Sequence, residues 1–269
     1  MSKFGCKTTK VRTKSGRKLL ILRPKRQPEQ PQPGILWIHG GGYATGMAAM
    51  VHISRAKALV KKYGAVVISP GYRLSGRHPF PAALEDCYEA LGYLAEQAAG
   101  LGCDPQKLMV GGESAGGGLT AALCMYARDR GEYRIVYQFP LYPMLDDRDT
   151  ESSRDNHGIS WNTSRNHKAW KFYLRQVEGE IPAYAAPARQ EDYRNLPPAY
   201  TFVGDREPFY VETLNYIENL RRAGIEAEVD VYPTGFHAFD MLLPFRRISK
   251  EAIAAFEAHY RAACEKLQE

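Results

Sequence analysis

Val110-Gly111-Gly112-Glu113-Ser114-Ala115-Gly116-Gly117-Gly118 follows a short apolar run, Leu108 to Val110, and leads into a helix-forming segment, Leu119 to Arg128. Within it, Gly112 to Gly116 fits G-x-S-x-G, a strand-to-helix turn tight enough to lift the hydroxyl of its serine clear of a sheet. The glycines have a mechanical reason. A serine on so sharp a turn is strained, and side chains two residues to either side would collide with neighbouring backbone. A Gly-rich loop with an incidental serine reads the same in isolation, because short motifs recur by accident. The surrounding chain decides between the two.

Upstream, Ile35-Leu36-Trp37-Ile38 is a continuous apolar run of buried-strand type, followed at once by His39-Gly40-Gly41-Gly42-Tyr43. A helix fits Ile53 to Tyr63, and Ala65 to Ile68 is the next buried strand. The segment from Tyr72 to Pro81 reads as a loop. From Ala83, the residues Leu84, Cys87, Leu91, Leu94 and Ala98 keep helical spacing, and Gly100 is placed to stop that helix. Downstream, Ile135 to Phe139 predicts a strand ended by Pro140 and Pro143. Residues 146–197 turn polar, embed Trp161 and Trp170, and predict an insertion with one or two helices, chiefly Asn166 to Gln176. Tyr200 to Val203 resumes the strands. Pro208 suits the first turn of a helix whose Tyr210, Leu214, Ile217 and Leu220 share a face, with Gly224 closing it. Glu228 to Val231 is the last strand, and Ile253, Phe256, Tyr260 and Leu267 mark the core face of a terminal helix.

Strands alternating with helices imply an α/β fold, a mostly parallel central sheet with helices on both faces. Ligands of such sheets sit at the carboxyl ends of the strands. The serine turn, the glycine run after Ile38, the loop after Val203 and the loop after Tyr232 all belong to that edge.

Composition narrows the class. The 44% hydrophobic and 25% charged residues suit an ordinary globular chain with a sizeable core. No apolar run reaches bilayer-spanning length, and Met1 to Lys7 lacks the apolar core of a signal peptide. Five scattered cysteines without a CxxC or Cys/His cluster predict a reduced, cytoplasmic protein with no structural zinc. The net charge of +6 is uneven, since residues 1–26 hold ten Lys or Arg and no Asp or Glu. Such an arm could bind nucleic acid or anionic lipid. Without interleaved aromatic residues it reads instead as a solvated hairpin, Lys7 to Val11 and Arg17 to Leu22 flanking a Ser15-Gly16 turn. Neither a nucleic acid nor a membrane is expected as a partner.

A serine hydroxyl needs a neighbouring base, itself oriented by an acid. Among the seven histidines, His237 is best placed, just past the last strand in Tyr232-Pro233-Thr234-Gly235-Phe236-His237. His78 and His39 also lie on edge loops, although His39 opens the glycine run and is expected to shape it. For the acid, Gly204-Asp205-Arg206-Glu207-Pro208 offers both Asp205 and Glu207, and either could instead cap the following helix. The glycine run supplies what the three lack. Negative charge developing on a carbonyl oxygen is stabilised by preorganised backbone N–H groups. The expected donors are Gly41, Gly42 and Ala115. A phosphate-binding loop would also use glycines, but neither GxGxxG nor a Walker lysine is present.

Together these residues resemble the hormone-sensitive-lipase-like family of α/β-hydrolases, the bacterial acetyl esterase or carboxylesterase type, from about Gly34 to the terminal helix. The resemblance is carried by His39 to Gly42, Tyr72-Arg73-Leu74, His78 to Ala83, Asp104-Pro105, Gly112 to Gly117, and Tyr232-Pro233 through His237. It implies a single α/β-hydrolase domain over 1–269 and a serine carboxylesterase acting through an acyl-enzyme. Ser114 would be nucleophile, His237 base, and Gly41, Gly42 and Ala115 the oxyanion hole. Three departures stand out. Glu113 replaces the family's usual Asp before the serine. The acid position, usually Asp-Pro, matches Glu207-Pro208, so the resemblance favours Glu207 over Asp205. Only about 34 residues precede the glycine-run strand, so the cap would come mainly from 146–197, with Trp161 facing the pocket. The expected substrate is a small, short-chain acyl ester, with no cofactor or metal, and a homo-oligomer is a possible arrangement. Amides, lactones and acylated sugars suit the same chemistry, and a non-catalytic ligand-binding homologue is the more distant alternative.

Overall fold

The computed structural model describes residues 3–267. One eight-stranded sheet runs in the order β1-β2-β4-β3-β5-β6-β7-β8. Its strands are β1 (Lys7–Arg12), β2 (Lys18–Arg23), β3 (Gln32–Ile38), β4 (Val66–Pro70), β5 (Cys103–Glu113), β6 (Tyr137–Leu141), β7 (Ala199–Gly204) and β8 (Ala227–Tyr232). The basic arm is the expected hairpin, β1 antiparallel to β2, and β2 adds antiparallel to β4. Every other pairing is parallel.

The apolar runs are continuous because both faces are covered. In β3, Leu36 and Ile38 pack on one side with Leu91 and Leu94 of α2 (Ala82–Leu101) and Leu119 of α3 (Ala115–Arg130). Ile35 and Trp37 pack on the other, with Leu59 of α1 (Ala56–Tyr63) and Phe256 and Tyr260 of the terminal helix α7 (Arg247–Lys266). Between β6 and β7 lies α4 (Thr163–Leu174), and between β7 and β8 lies α5 (Tyr210–Arg222). After β8 comes a four-residue helix, α6 (Phe239–Leu242). Among the described residues, no helix is long and apolar enough to cross a membrane, and no group of three or more His, Cys, Asp or Glu is arranged to hold a metal.

Several boundaries shift for physical reasons. Helix α2 runs through Gly100 and stops at Gly102, which takes the left-handed conformation at φ +86° and donates back to Ala98 and Ala99. Helix α3 begins at Ala115, four residues before the apolar pattern starts, because three glycines hide its first turn. Pro140 sits inside β6 instead of ending it. Lacking an N–H, it leaves the β6–β7 ladder thin, and Thr201 Oγ1 donates to its carbonyl oxygen at 2.6 Å while Tyr142 N donates to Phe202 O at 3.1 Å. Residues 146–197 carry α4, whose Asn162 cap accepts from the Arg165 amide, and a short 3-10 turn, Pro187–Arg189. The core face of α7 is Ser249, Ala252, Phe256, Tyr260 and Ala263, with Ile253 only half-buried. Helix α6 has no counterpart in the apolar pattern.

Candidate active site

The carboxyl ends of β3, β5, β7 and β8 bring four loops to one edge of the sheet. Ser114 lies where β5 turns into α3, with φ +58° and ψ −121°. A non-glycine residue there stores strain, so its surroundings must hold it. Its amide donates to Leu141 O at 3.0 Å, and its carbonyl accepts from Gly118 N at 2.9 Å and Met144 N at 3.0 Å. A Cβ at Gly112 or Gly116 would run into the carbonyl oxygen of Ile38, which is why the turn requires glycine on both sides.

His237 Nε2 stands 2.9 Å from Ser114 Oγ. On the other side of the ring, Nδ1 meets Glu207 Oε2 in a short hydrogen bond. Glu207 is fully buried, and its other oxygen accepts from Gly204 N at 2.9 Å. The imidazole edge is walled by Tyr142 and Phe209, both edge-on at ring separations of 5.1 and 5.0 Å. Asp205, the competing acid, turns outward to an ion pair with Arg206 at 3.3 Å. His78 is exposed on its loop. The structure therefore brings Ser114, His237 and Glu207 together and leaves Asp205 and His78 outside.

The glycine run closes over the same point. A Cβ at Gly40 would lie 3.2 Å from Ser114 Cβ, so this loop lies against the elbow. The carbonyl of Gly41 accepts from Ala44 N, Thr45 N and Thr45 Oγ1, which fixes the peptide that follows it. Among the described residues, the amides of Gly41 and Gly42 donate to no protein acceptor. The Ala115 amide is the first in α3 and has no partner within the helix. Gly42 adopts φ +57° directly under Trp161, whose ring edge would come within 2.5 Å of any Cβ there. Trp161 also sits 6.3 Å from the His237 ring, placing this residue of the 146–197 segment above the site.

His39 is 2% exposed, stacks on Tyr72 at 4.2 Å, and its Nδ1 lies 2.8 Å from Gly40 O. Burial lowers its pKa to about 4, so it is a neutral scaffold for the loop. Glu113 points beneath the elbow and accepts from Trp37 Nε1 at 2.8 Å. Its burial raises its pKa to about 8, with the nearby Asp240 adding to the rise.

Three supporting side chains had no signal in the sequence. Tyr142 donates to Asp240 Oδ1 at 2.8 Å while walling His237. Asp240, on the unpredicted α6, is fully buried and paired to Arg55 at 3.3 Å. Glu212 of α5 accepts from Leu145 N at 2.6 Å and holds the start of the 146–197 segment; its burial pushes its pKa well above the usual carboxylate range. Glu212 alone interrupts an apolar helical pattern, and a lone acid there does not say what it holds.

A family model described as alpha/beta hydrolase fold matches residues 35–241. The chain is 34% identical to Esterase LipI of Mycobacterium tuberculosis over 81% of this chain and 69% of that protein. It is 30% identical to the Ethyl acetate hydrolase of Pseudomonas putida over 82% and 70%. Among solved structures, the Bacterial Heroin Esterase superposes with a TM-score of 0.90 at 31% identity, covering 97% of this chain and 84% of that one. The chain thus spans roughly two thirds of the length of the curated relatives that it matches, 66% in the Carboxylesterase NlhH of Mycobacterium tuberculosis. This chain belongs to the hormone-sensitive-lipase-like family of the alpha/beta hydrolase fold.

Proposed function

We propose that this chain is a serine carboxylesterase that hydrolyses short-chain, acetyl-type esters through an acyl-enzyme, with 1–269 acting as one hydrolase domain and 146–197 as its cap. The observation that carries the reading is the continuous relay from Ser114 Oγ through His237 to the buried Glu207. Relatives named esterase and ethyl acetate hydrolase support the same chemistry.

In this mechanism, Ser114 Oγ attacks the ester carbonyl as His237 Nε2 takes its proton. Glu207 holds the imidazole in the tautomer that leaves Nε2 free and stabilises the cation that forms. The amides of Gly41, Gly42 and Ala115 receive the oxyanion, each such donor typically lowering the barrier enough for about 10²-fold or more in rate. His237 then protonates the departing alcohol, and water repeats the sequence on the acyl-enzyme. Trp161 over Gly42 limits the room beyond the carbonyl, which supports a preference for short acyl groups. Met47, Ile53, Ile159, Leu242 and Phe245 are exposed, and a homo-oligomer would cover such side chains.

A panel of p-nitrophenyl esters from acetyl to dodecanoyl tests the substrate class. Acetyl and butyryl esters should turn over fastest, Ser114→Ala should lose about 10³-fold or more in kcat, and an organophosphate should label Ser114. Faster turnover of the long-chain esters, or no labelling of Ser114, would overturn the reading.

A further inference from the structure

The basic hairpin contributes more than an edge to the sheet. In β1 and β2, Arg12 lies directly opposite Lys18, and Lys10 opposite Leu20. Opposed residues share a face, as do residues two apart, so Lys10, Arg12, Lys18 and Leu20 all look the same way. Leu20 packs with Ala48 and Val51, so this face is turned toward the 3-10 turn Ala48–His52 that follows the glycine run.

Between the two lies a cavity of about 950 Å³, with Lys10, Arg12 and Lys18 on the hairpin side and Met47, Ala48 and Ala49 on the other. His39, Gly46 and Tyr72 also line it. His39 precedes Gly40, the residue lying against Ser114. The register places the hairpin tip at the working edge, since Leu19 pairs with Pro70, the last residue of β4.

The charges have no internal answer. Among the described residues, no Asp or Glu lines the cavity. Of the neighbouring acids, Glu96 pairs with Lys14, and Glu89 is engaged by the Ser15 amide and hydroxyl and lies near Arg17. Among the described residues, Lys10, Arg12 and Lys18 enter no ion pair, and Arg12 donates only to Gly16 O at 2.7 Å. Two like charges directly opposed across a hairpin destabilise it. Cations on an edge strand ordinarily guard against strand addition, but that role requires neither a cavity nor a lining that reaches the histidine opening the glycine run.

The geometry points to a subsite for the anionic end of the substrate: a small ester whose carbonyl sits at the glycine run, whose carbon chain lies along Met47 and Leu20, and whose carboxylate or phosphate meets Lys10, Arg12 and Lys18. This inference rests on the esterase reading above and refines its substrate class.

The test compares esters matched in length, with the charge on either side of the ester bond: monoethyl succinate against ethyl pentanoate, 3-acetoxypropionate against butyl acetate, and acetyl phosphoethanol against butyl acetate. At least one anionic ester should exceed its neutral partner in kcat/KM by about tenfold at low ionic strength, and the advantage should shrink steeply as salt is raised. Lys10→Gln/Lys18→Gln should bring the anionic-to-neutral ratio close to one, whereas Lys14→Gln should keep it. Neutral esters turned over as fast as all their anionic partners, or a ratio untouched by the double substitution, would overturn the subsite while leaving the esterase intact. If Ser114→Ala were as active as the parent, the esterase reading would fail instead. Calorimetric titration of Ser114→Ala with the same ester pairs then still decides the subsite, because tighter binding of the anion supports it and equal binding refutes it.

Discussion

Glu207 uses both carboxylate oxygens, one on His237 Nδ1 and one on the amide of Gly204. The second bond orients the first, so the carboxylate is locked to its own strand end as well as to the imidazole. Replacing it by glutamine keeps the shape but lets the imidazole take the wrong tautomer. Glu207→Gln should therefore lower kcat on p-nitrophenyl acetate by about 10³- to 10⁴-fold, whereas Asp205→Asn should stay within about threefold, since Asp205 faces Arg206. The reverse pattern would move the acid to Asp205. The sequence narrows the acid to these two positions by placing them after the strand Tyr200 to Val203. It does not choose on residue chemistry alone, because both carboxyls can reach a histidine from one loop. Which one turns inward is decided by the backbone path after Gly204, where the Asp205 amide donates to Tyr232 O and the Glu207 amide to Gly204 O.

The elements around His237 are tied together from behind by charges. Arg55, the residue before α1, meets Asp240 of α6 at 3.3 Å, and Tyr142 of the loop after β6 bonds the same carboxylate. Three segments distant in sequence thus converge on one buried acid that follows the histidine closely in the chain. Removing one member of a buried pair leaves a charge without compensation, which typically costs about 3–5 kcal/mol. Arg55→Met should lower unfolding stability by about 3 kcal/mol, and adding Asp240→Asn should restore most of it, as a double-mutant cycle by urea denaturation would measure. A single Arg55→Met protein as stable as the parent would remove this tie from the account. None of it was legible in the chain, since α6 is four residues long and its acid is embedded in Ala238-Phe239-Asp240-Met241 without a periodic pattern. The longer elements were legible because buried strands and amphipathic helices repeat their signal over many residues.

For the molecule as a whole, buried groups bend stability in opposite directions with pH, Glu113 and Glu212 one way and His39 the other. Glu113 titrates at about 8 when folded against 4.5 when free. Between those values the unfolded chain releases a proton that the fold retains, so its contribution is complete below pH 4.5 and lost as pH rises to 8. His39 titrates at about 4 against 6.5. Below 6.5 the unfolded chain takes up a proton that the fold refuses, so stability falls as pH drops toward 4. The two trends offset each other in the range they share. Urea midpoints measured from pH 4 to 9 should therefore decline on the alkaline side in the parent and less so in Glu113→Gln. An alkaline decline of equal size in Glu113→Gln would refute this assignment. At this scale the parallel sheet with helices on both faces was readable from strands alternating with helices. The order of the strands was not, because continuous apolar runs carry no record of their neighbours.

Local chemistry determined much of this protein in advance. The glycine spacing around Ser114 follows from a collision with Ile38 that any side chain would suffer, and such steric demands are written directly into sequence. The same holds for the buried strands, whose apolar runs follow from burial on two faces. The tertiary structure alone decided which groups meet: Glu207 and not Asp205 on His237, Trp161 above Gly42, Asp240 beneath the site, and three hairpin cations facing a cavity. These are contacts between residues far apart in the chain. Their partners are chosen by how the sheet is ordered and how its loops pack, and neither periodicity nor composition carries that information.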